Sequence, residues 1–200
     1  MKQTILITGT SSGLGRTTAK FFAAKGWNVL ATMRRPVGEA ELTQLDNVLV
    51  TRLDVQDRAT IEVAIEAGLT RFGRIDALLN NAGFGLFGLF EGTPREKIQE
   101  QFAVNVFGVM DVTRAILPHF RQNQAGIILN VSSGAGVFTL PMISLYCASK
   151  FALEGFSEAL SYEVASQGIT VKIIEPGGIL STGFNKRSGA EAGHVKAPPD

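Results

Sequence analysis

The chain has 200 residues, of which 45% are apolar and 18% are charged, and its net charge is only +1. This length and composition fit one globular domain with a sizeable core. Acidic and basic residues are interspersed, so no basic face points to nucleic acid or to an anionic membrane as a partner. The single cysteine, Cys147, excludes an intrachain disulfide and a cysteine cluster for zinc, and no metal site is predicted.

No run of about 18 apolar residues is present that could span a bilayer. The first predicted strand starts at Thr4, which leaves no room for a signal peptide before it. We therefore expect a soluble, cytoplasmic protein.

Short β-branched runs alternate along the chain with longer segments of helical periodicity, such as the stripe Ile98, Phe102, Val106 and Val109. The predicted strands are Thr4–Thr8, Asn28–Thr32, Val48–Leu53, Ile75–Asn80, Gly126–Val131 and Thr170–Glu175. This alternation predicts the α/β class: a Rossmann-like, doubly wound parallel sheet with helices on both faces, in a single domain over residues 1–200. The tail from Asn185 to Asp200 lacks apolar periodicity and is predicted to be a mobile loop.

A glycine-rich turn, Thr8-Gly9-Thr10-Ser11-Ser12-Gly13-Leu14-Gly15, follows the first predicted strand and opens a helix. Gly9 permits a tight turn, Gly13 lets the backbone approach a pyrophosphate, and Gly15 lets helix and strand pack closely. The spacing is Gly-x-x-x-Gly-x-Gly rather than Gly-x-Gly-x-x-Gly, and a lone glycine cluster can be an ordinary turn. In this α/β context the turn predicts a dinucleotide site.

Tyr146 and Lys150 lie four residues apart in a predicted helix and therefore share one face. An unperturbed tyrosine titrates near 10, so bringing it near 7 requires stabilising the phenolate by roughly 4 kcal/mol. A nearby ammonium can supply much of that stabilisation, which predicts a proton donor. A plain surface pair on a helix is the alternative interpretation of the same spacing.

Together these motifs resemble the short-chain dehydrogenase/reductase family, and the resemblance extends over nearly the whole chain. The further matching features are the turn Asn80-Asn81-Ala82-Gly83, Asn105 in the helix that follows, Ser133 thirteen residues before Tyr146, and the Tyr-x-x-x-Lys spacing. The stretch from Tyr146 to Gly155 is most similar to the branch that contains 17β-hydroxysteroid and retinol dehydrogenases.

The resemblance implies four catalytic residues. Tyr146 would exchange the hydroxyl proton of the substrate, Ser133 would hydrogen-bond the substrate carbonyl and the Tyr146 oxygen, and Lys150 would lower the pKa of Tyr146 and hold the nicotinamide ribose. Asn105 would hold a water that links Lys150 to solvent. Ser132 is the rival of Ser133, but only Ser133 has the family's spacing to Tyr146.

The second predicted strand is followed by Arg34 and Arg35, where a chain that binds NAD usually has an acidic residue. A guanidinium matches a 2′-phosphate, so NADP is predicted over NAD, with an exposed basic turn as the alternative interpretation. The resemblance adds further cofactor contacts: Ser11, Ser12, Leu14, Asp54, Val55, Asn81, Ala82, Gly83, Tyr146, Lys150, Pro176, Gly177 and Ile179. Ser181 and Thr182 are both candidates for the nicotinamide carboxamide contact.

Apolar residues follow two of the predicted strands, in the segment Phe84–Phe90 and at Phe138, Leu140, Pro141 and Met142. They predict an apolar pocket at the cofactor cleft, and hence a small apolar ketone or secondary alcohol as substrate. They can equally complete the core or a dimer face, and a homo-oligomer, dimer or tetramer, is expected. Family members continue into a substrate lid and a further strand, so we expect that lid to be shortened or missing here.

Two other functions are compatible with parts of the sequence. A dinucleotide-binding redox sensor without turnover is the main alternative, although it has no need of a proton relay. A hydrolase using His119 or His194 with a serine is disfavoured because no Gly-x-Ser-x-Gly elbow is present and His194 falls in the predicted loop.

Overall fold

The computed structural model describes residues 2–179 together with Phe184 and Ser188. Six parallel strands form one sheet in the order β3-β2-β1-β4-β5-β6. The strands are β1 (Thr4–Thr8), β2 (Asn28–Met33), β3 (Val48–Arg52), β4 (Ala77–Asn80), β5 (Gly126–Val131) and β6 (Ile169–Ile174). This arrangement confirms the predicted doubly wound α/β fold.

Helices cover both faces of the sheet. They are α1 (Gly13–Ala24), α2 (Arg58–Phe72), α3 (Arg95–Phe102), α4 (Gly108–Gln122) and α5 (Ser144–Val164), and a π-helical segment, Ala103–Phe107, joins α3 to α4. Among the described residues, short 3-10 turns lie at Leu42–Gln44, Gly134–Gly136 and Ala165–Gln167.

Alternate residues of β1, one of the two central strands, face two separate apolar cores. Leu6 packs in one core with residues of α2, α4 and α5, among them Ile61, Ile116 and Leu160. Ile5 and Ile7 point to the other face and pack in a core that includes Ala19 of α1. Strands buried on both faces are typical of parallel sheets, which explains why these segments are almost wholly apolar.

Four of the six strands differ from the predictions by one or two residues: β2 ends at Met33, β3 ends at Arg52, β4 begins later, and β6 is displaced by one residue. β4 begins at Ala77 rather than Ile75, because the Asp76 side chain accepts a hydrogen bond from Thr4 N at 2.8 Å and Ile75 N donates to His119 Nε2 at 3.2 Å. β6 begins at Ile169, directly after Gly168 in a left-handed conformation (φ 70°). The predictions for Ser181, Thr182, His194 and the tail fall outside the described residues, Ser188 excepted.

Within the described part of the chain, no helix combines the length and the apolar character needed to cross a bilayer.

Candidate active site

A cleft of about 590 Å³ opens at the carboxyl ends of the central strands, where the strand order reverses between β1 and β4. Parallel α/β sheets bind ligands at this position. Most of the predicted site residues line it: Gly9, Ser11, Ser12, Gly13, Leu14, Arg34, Asp54, Val55, Asn81, Ala82, Gly83, Ser133, Tyr146, Lys150, Pro176, Gly177 and Ile179. Gly15, Arg35 and Asn105 are not among the residues that line this cleft.

The glycine turn has the conformation that a phosphate cradle needs. Gly9 and Gly13 have positive φ angles of 73° and 56°, which side chains other than glycine rarely adopt. A Cβ on Gly9 would lie 2.9 Å from Ala82 Cα, so the close approach of the two loops also requires glycine. The Ser12 side chain does not cap α1. Gly13 and Leu14, the first residues of α1, line the cleft, and the N-terminus of this helix has no side-chain cap, which fits the pyrophosphate of a dinucleotide.

Asn81 secures this turn to the loop after β4. Its side-chain amide donates to Thr8 O at 2.9 Å and to Gly9 O at 3.2 Å, and its backbone N donates to Thr8 Oγ1 at 3.0 Å. The same hydroxyl accepts from Ala82 N at 3.0 Å. Asn81 therefore lines the cleft while its side chain holds the glycine turn in place.

Ser133 and Tyr146 both line the cleft, and the Ser133 side chain lies near enough to the phenol to lower its pKa. Ser133 caps the 3-10 turn that follows β5, where its Oγ accepts from Ala135 N at 3.2 Å. Tyr146 lies in the first turn of α5 and is only 7% exposed. Its ring packs against Phe87 and Phe184, with centroid separations of 6.0 and 5.7 Å. Ser132 also lines the cleft, and its buried Oγ has no hydrogen-bond partner among the described residues.

Lys150 lies one turn further along α5 and is 6% exposed. Its Nζ donates to Val131 O at 2.8 Å and lies 5.7 Å from the centroid of the Tyr146 ring. Burial lowers the pKa of Lys150 to about 8, and the nearby Glu154 carboxylate acts in the opposite direction. Lys150 is therefore a buried amine whose charge depends on pH in the physiological range.

The pKa of Tyr146 differs from the sequence-based expectation. Burial raises it above the ordinary value, and the hydrogen bond with Ser133 lowers it by a smaller amount. The spacing of Tyr146 and Lys150 predicted a lowered pKa instead. The difference arises because desolvation of the phenol is the largest cause, and the Lys150 ammonium, which donates to Val131 O, is not among the groups that shift this pKa.

Asn105 lies in the π-helical segment and bonds to protein groups rather than facing the cleft. Its Oδ1 accepts from Phe84 N at 3.1 Å, and its Nδ2 donates to Phe84 O at 2.9 Å and to Ser149 Oγ at 3.2 Å. Ser149 Oγ in turn donates to Tyr146 O at 2.8 Å. Asn105 therefore connects the loop after β4 with the helix that carries Tyr146.

Two members of this network, Gln101 and Ser149, were not predicted as site residues. Both are fully buried, and Gln101 Nε2 donates to Phe84 O at 2.7 Å. Gln101 precedes Asn105 by four residues, and this spacing places both polar residues on one helix face. The spacing could therefore have indicated Gln101 as a partner of Asn105.

The two predicted arginines differ in position. Both are exposed, but only Arg34 lines the cleft. His119 lies near the amino end of β4, at the other end of the strands from the cleft, where its Nε2 is 3.1 Å from Ile75 O. It is remote from the serines of the cleft, which removes it as a partner in a hydrolase site.

The apolar segments after β4 and β5 meet beside Tyr146. Phe84 and Leu86 are buried, with 1% and 2% exposure, so these two side chains complete the core. Phe138 and Leu140 are more than half exposed and line the cleft. The two segments are joined by a hydrogen bond of 2.7 Å from Gly88 N to Met142 O. The cleft therefore has an apolar, partly open wall next to the phenol.

The fold, the glycine turn and the position of the cleft together define a dinucleotide-binding α/β protein. The family model for short chain dehydrogenases matches residues 3–193. The chain belongs to the short-chain dehydrogenase family.

Known proteins show the same relationship. The chain is 40% identical over 182 residues to a 3-ketodihydrosphingosine reductase of Bacteroides thetaiotaomicron, and the match covers 91% of this chain and 65% of the relative. It resembles ElxO with NADP bound, with a TM-score of 0.86, 30% identity and coverage of 95% and 79% of the two chains. It also resembles a 3-ketoacyl-(acyl-carrier-protein) reductase from Brucella melitensis complexed with NADH, with a TM-score of 0.84, 35% identity and coverage of 88% and 75%.

The chain spans about two thirds of the length of the curated relatives it matches, between 65% and 66% for three of them. The structures bound to NADP and to NADH show that similar proteins bind either nicotinamide dinucleotide. The resemblance to the 17β-hydroxysteroid and retinol dehydrogenase branch is not established by these comparisons.

Proposed function

We propose that this protein is an NADP-dependent oxidoreductase that interconverts an apolar secondary alcohol and the corresponding ketone. The observation that carries the proposal is the meeting of Ser133, Tyr146 and Lys150 in one cleft. The glycine turn, the uncapped N-terminus of α1 and Arg34 fit a dinucleotide in the same cleft.

When bound, the nicotinamide supplies or accepts the hydride. In the direction of reduction, Tyr146 donates its phenolic proton to the substrate oxygen as negative charge develops there. Ser133 donates a second hydrogen bond to the same oxygen, and two preplaced donors stabilise the charge. The raised pKa of Tyr146 keeps its proton in place at neutral pH, as a general acid requires.

Lys150 contributes positive charge close to the phenol and a donor for the nicotinamide ribose. Its ammonium can stabilise the phenolate that remains after proton transfer. Asn105 is proposed to complete a proton relay through a water, as the family resemblance implies. Its bonds to Phe84 and Ser149 support a further role, because they hold the loop after β4 against α5.

Cofactor choice is proposed to rest on Arg34 and Arg35. A guanidinium binds a phosphate by charge-assisted hydrogen bonds, each contributing about 1.5–3 kcal/mol. We expect NADPH to bind more tightly than NADH, and Arg34→Gln/Arg35→Gln to weaken NADPH binding by roughly 10- to 100-fold. The affinity for NADH, which lacks the 2′-phosphate, should change little. Fluorescence titration of the full-length protein with each cofactor measures both affinities, and equal affinities before substitution would contradict the proposal.

The substrate is proposed to be apolar because Phe138, Leu140 and Phe87 form the wall of the cleft near Tyr146. The name of the Bacteroides thetaiotaomicron relative, a 3-ketodihydrosphingosine reductase, also points to a lipid-like ketone. We expect a turnover screen with NADPH to favour steroid-, retinoid- or lipid-like ketones. A clear preference for charged sugars or hydroxy acids would show that the substrate assignment is wrong.

The alternative function is a redox sensor that binds the dinucleotide without turnover. The same screen separates the two functions, because a sensor binds NADPH but transfers no hydride to any carbonyl. The presence of Ser133 and Tyr146 in the same cleft favours the enzyme, since nucleotide binding alone requires no proton donor beside an apolar wall.

A further inference from the structure

The loop that follows β2 is held to α1 by a cluster of charged side chains. Arg16 Nη1 and Nη2 donate to the two oxygens of Glu39 at 2.6 and 3.0 Å, and Nη2 also donates to Glu41 Oε2 at 2.8 Å. Lys20, one turn further along α1, donates to the other oxygen of Glu41. None of these four residues was singled out by the sequence patterns.

The contact between Arg16 and Glu39 differs from an ordinary surface ion pair, which contributes little to stability. It is bidentate, and the Glu39 side chain is only 7% exposed. Arg16 lowers the pKa of the Glu39 carboxyl and Glu39 raises that of the guanidinium, so both stay charged near neutral pH. A fixed, partly desolvated pair of this kind can determine the position of a loop.

Glu39 also organises its own loop. Its Oε1 accepts from Glu41 N at 3.1 Å and from Leu42 N at 3.0 Å, and its backbone O accepts from Thr43 Oγ1 at 2.8 Å. Leu42 is fully buried in the core that also contains Ala19 of α1. Glu39 therefore connects the exposed part of the loop to the folded core.

The pair lies between two parts of the proposed cofactor site. Arg16 follows Gly15 directly, in the helix whose N-terminus faces the cleft. Arg34, which lines the cleft, begins the loop that Glu39 secures five residues later. Without this attachment, the segment from Arg34 to Glu39 would be joined to the fold at the end of β2 and at Leu42.

The distribution of charge around the loop also bears on how it would bind a phosphate. Arg34 and Arg35 share it with Glu39 and Glu41, so the loop alone has no net charge. Arg16 and Lys20, on the neighbouring helix, offset the two carboxylates. Arg34 and Arg35 are then the charges of the loop that remain available to attract a phosphate.

We propose that Arg16, acting through Glu39, is a positioning residue for selection of NADP(H) over NAD(H). It fixes the loop that presents Arg34 and Arg35 and offsets the carboxylates beside them. The inference rests on the cofactor choice proposed above and adds to it a residue outside the contact with the phosphate. Only a ligand that carries a 2′-phosphate depends strongly on this arrangement, because NAD(H) has a neutral hydroxyl at that position.

The test compares Arg16→Met and Arg16→Lys with the unmodified full-length protein. Dissociation constants are measured for NADPH, NADH and adenosine 2′,5′-bisphosphate, which carries the 2′-phosphate but no nicotinamide. We expect Arg16→Met to weaken binding of the two 2′-phosphate ligands by roughly tenfold, and NADH binding by less than about twofold. Arg16→Lys keeps the charge but loses the bidentate contact, so its preference for NADPH over NADH should be several-fold smaller than that of the unmodified protein.

Arg114→Met is the matched control, because Arg114 is an exposed arginine that pairs with Asp111 at 3.7 Å on α4, away from the cleft. Retained NADH affinity and an unchanged circular dichroism spectrum show that each variant is folded. Equal weakening of NADPH and NADH by Arg16→Met would overturn the inference, since it would indicate a pyrophosphate contact instead. An unchanged preference for NADPH over NADH in Arg16→Lys would also overturn the inference. If the unmodified protein shows no preference, the proposed cofactor choice itself fails, and this result is distinct from either of the others.

Discussion

Replacing Tyr146 by phenylalanine is expected to slow hydride transfer by roughly 10²- to 10⁴-fold while leaving NADPH affinity nearly unchanged. The substitution removes the phenolic oxygen but keeps the ring that packs against Phe87 and Phe184. The substrate oxygen then loses its proton donor and retains only Ser133. Single-turnover absorbance at saturating NADPH, together with cofactor titration, separates the chemical step from binding.

Tyr162→Phe provides the matched control on the same helix. The Tyr162 side chain is 73% exposed, and its hydroxyl donates to Glu158 Oε1 at 2.9 Å on the surface. Its loss should leave turnover within about twofold, as is usual for surface substitutions. Full activity in Tyr146→Phe would exclude this residue as the acid, and the redox-sensor function would then be favoured if no carbonyl is reduced by the unmodified protein.

Replacing Lys150 by methionine is expected to lower turnover by about 10²-fold or more and to weaken cofactor binding at the same time. The substitution keeps an apolar stem of similar length but removes the ammonium. The phenolate left by proton transfer then lacks a nearby positive charge, and the nicotinamide ribose lacks a donor. Val131 O also loses the hydrogen bond that it accepts from Nζ at 2.8 Å.

The pH dependence provides a second measurement for Lys150. Its pKa is lowered to about 8, so the side chain is charged below that pH and becomes neutral as the pH rises through it. We expect the rate of ketone reduction to fall above this pH in the unmodified protein, and this decline to be absent in Lys150→Met. Lys172→Met, at an exposed position on β6, should preserve the decline. An identical pH profile in Lys150→Met would contradict the assigned role.

The order of elements and the glycine turn could be predicted from the sequence because each depends on local chain chemistry. The run Thr4–Thr8 is buried along its whole length and consists only of β-branched or apolar residues, so both of its ends were predicted correctly. Gly9 and Gly13 were recognisable because their positive φ angles exclude most other residues. Burial on both faces and positive φ angles each restrict which residue types can occupy a position, so they can be recognised from the sequence.

The electrostatics of the site could not be predicted in this way. The pKa of Tyr146 depends mainly on how deeply the phenol is buried, and this does not follow from a spacing of four residues. The pairing of Arg16 with Glu39 joins residues 23 positions apart, across a strand and a turn. Such contacts arise from the tertiary fold, so a sequence pattern of single elements does not reveal them.

The π-helical segment Ala103–Phe107 determines how α3 and α4 are rotated with respect to each other. A π-bulge adds the equivalent of one residue to a continuous helix, and one residue corresponds to a rotation of about 100°. Gln101 lies before the bulge and Asn105 lies within it, yet both bind Phe84. A chain shorter by a single residue here would relax to a regular α-helix, in which α4 and the side chains that follow the deletion are rotated by about 100° with respect to α3. At this position the length of the chain is as restricted as its chemistry, so substitutions should be tolerated more readily than a deletion.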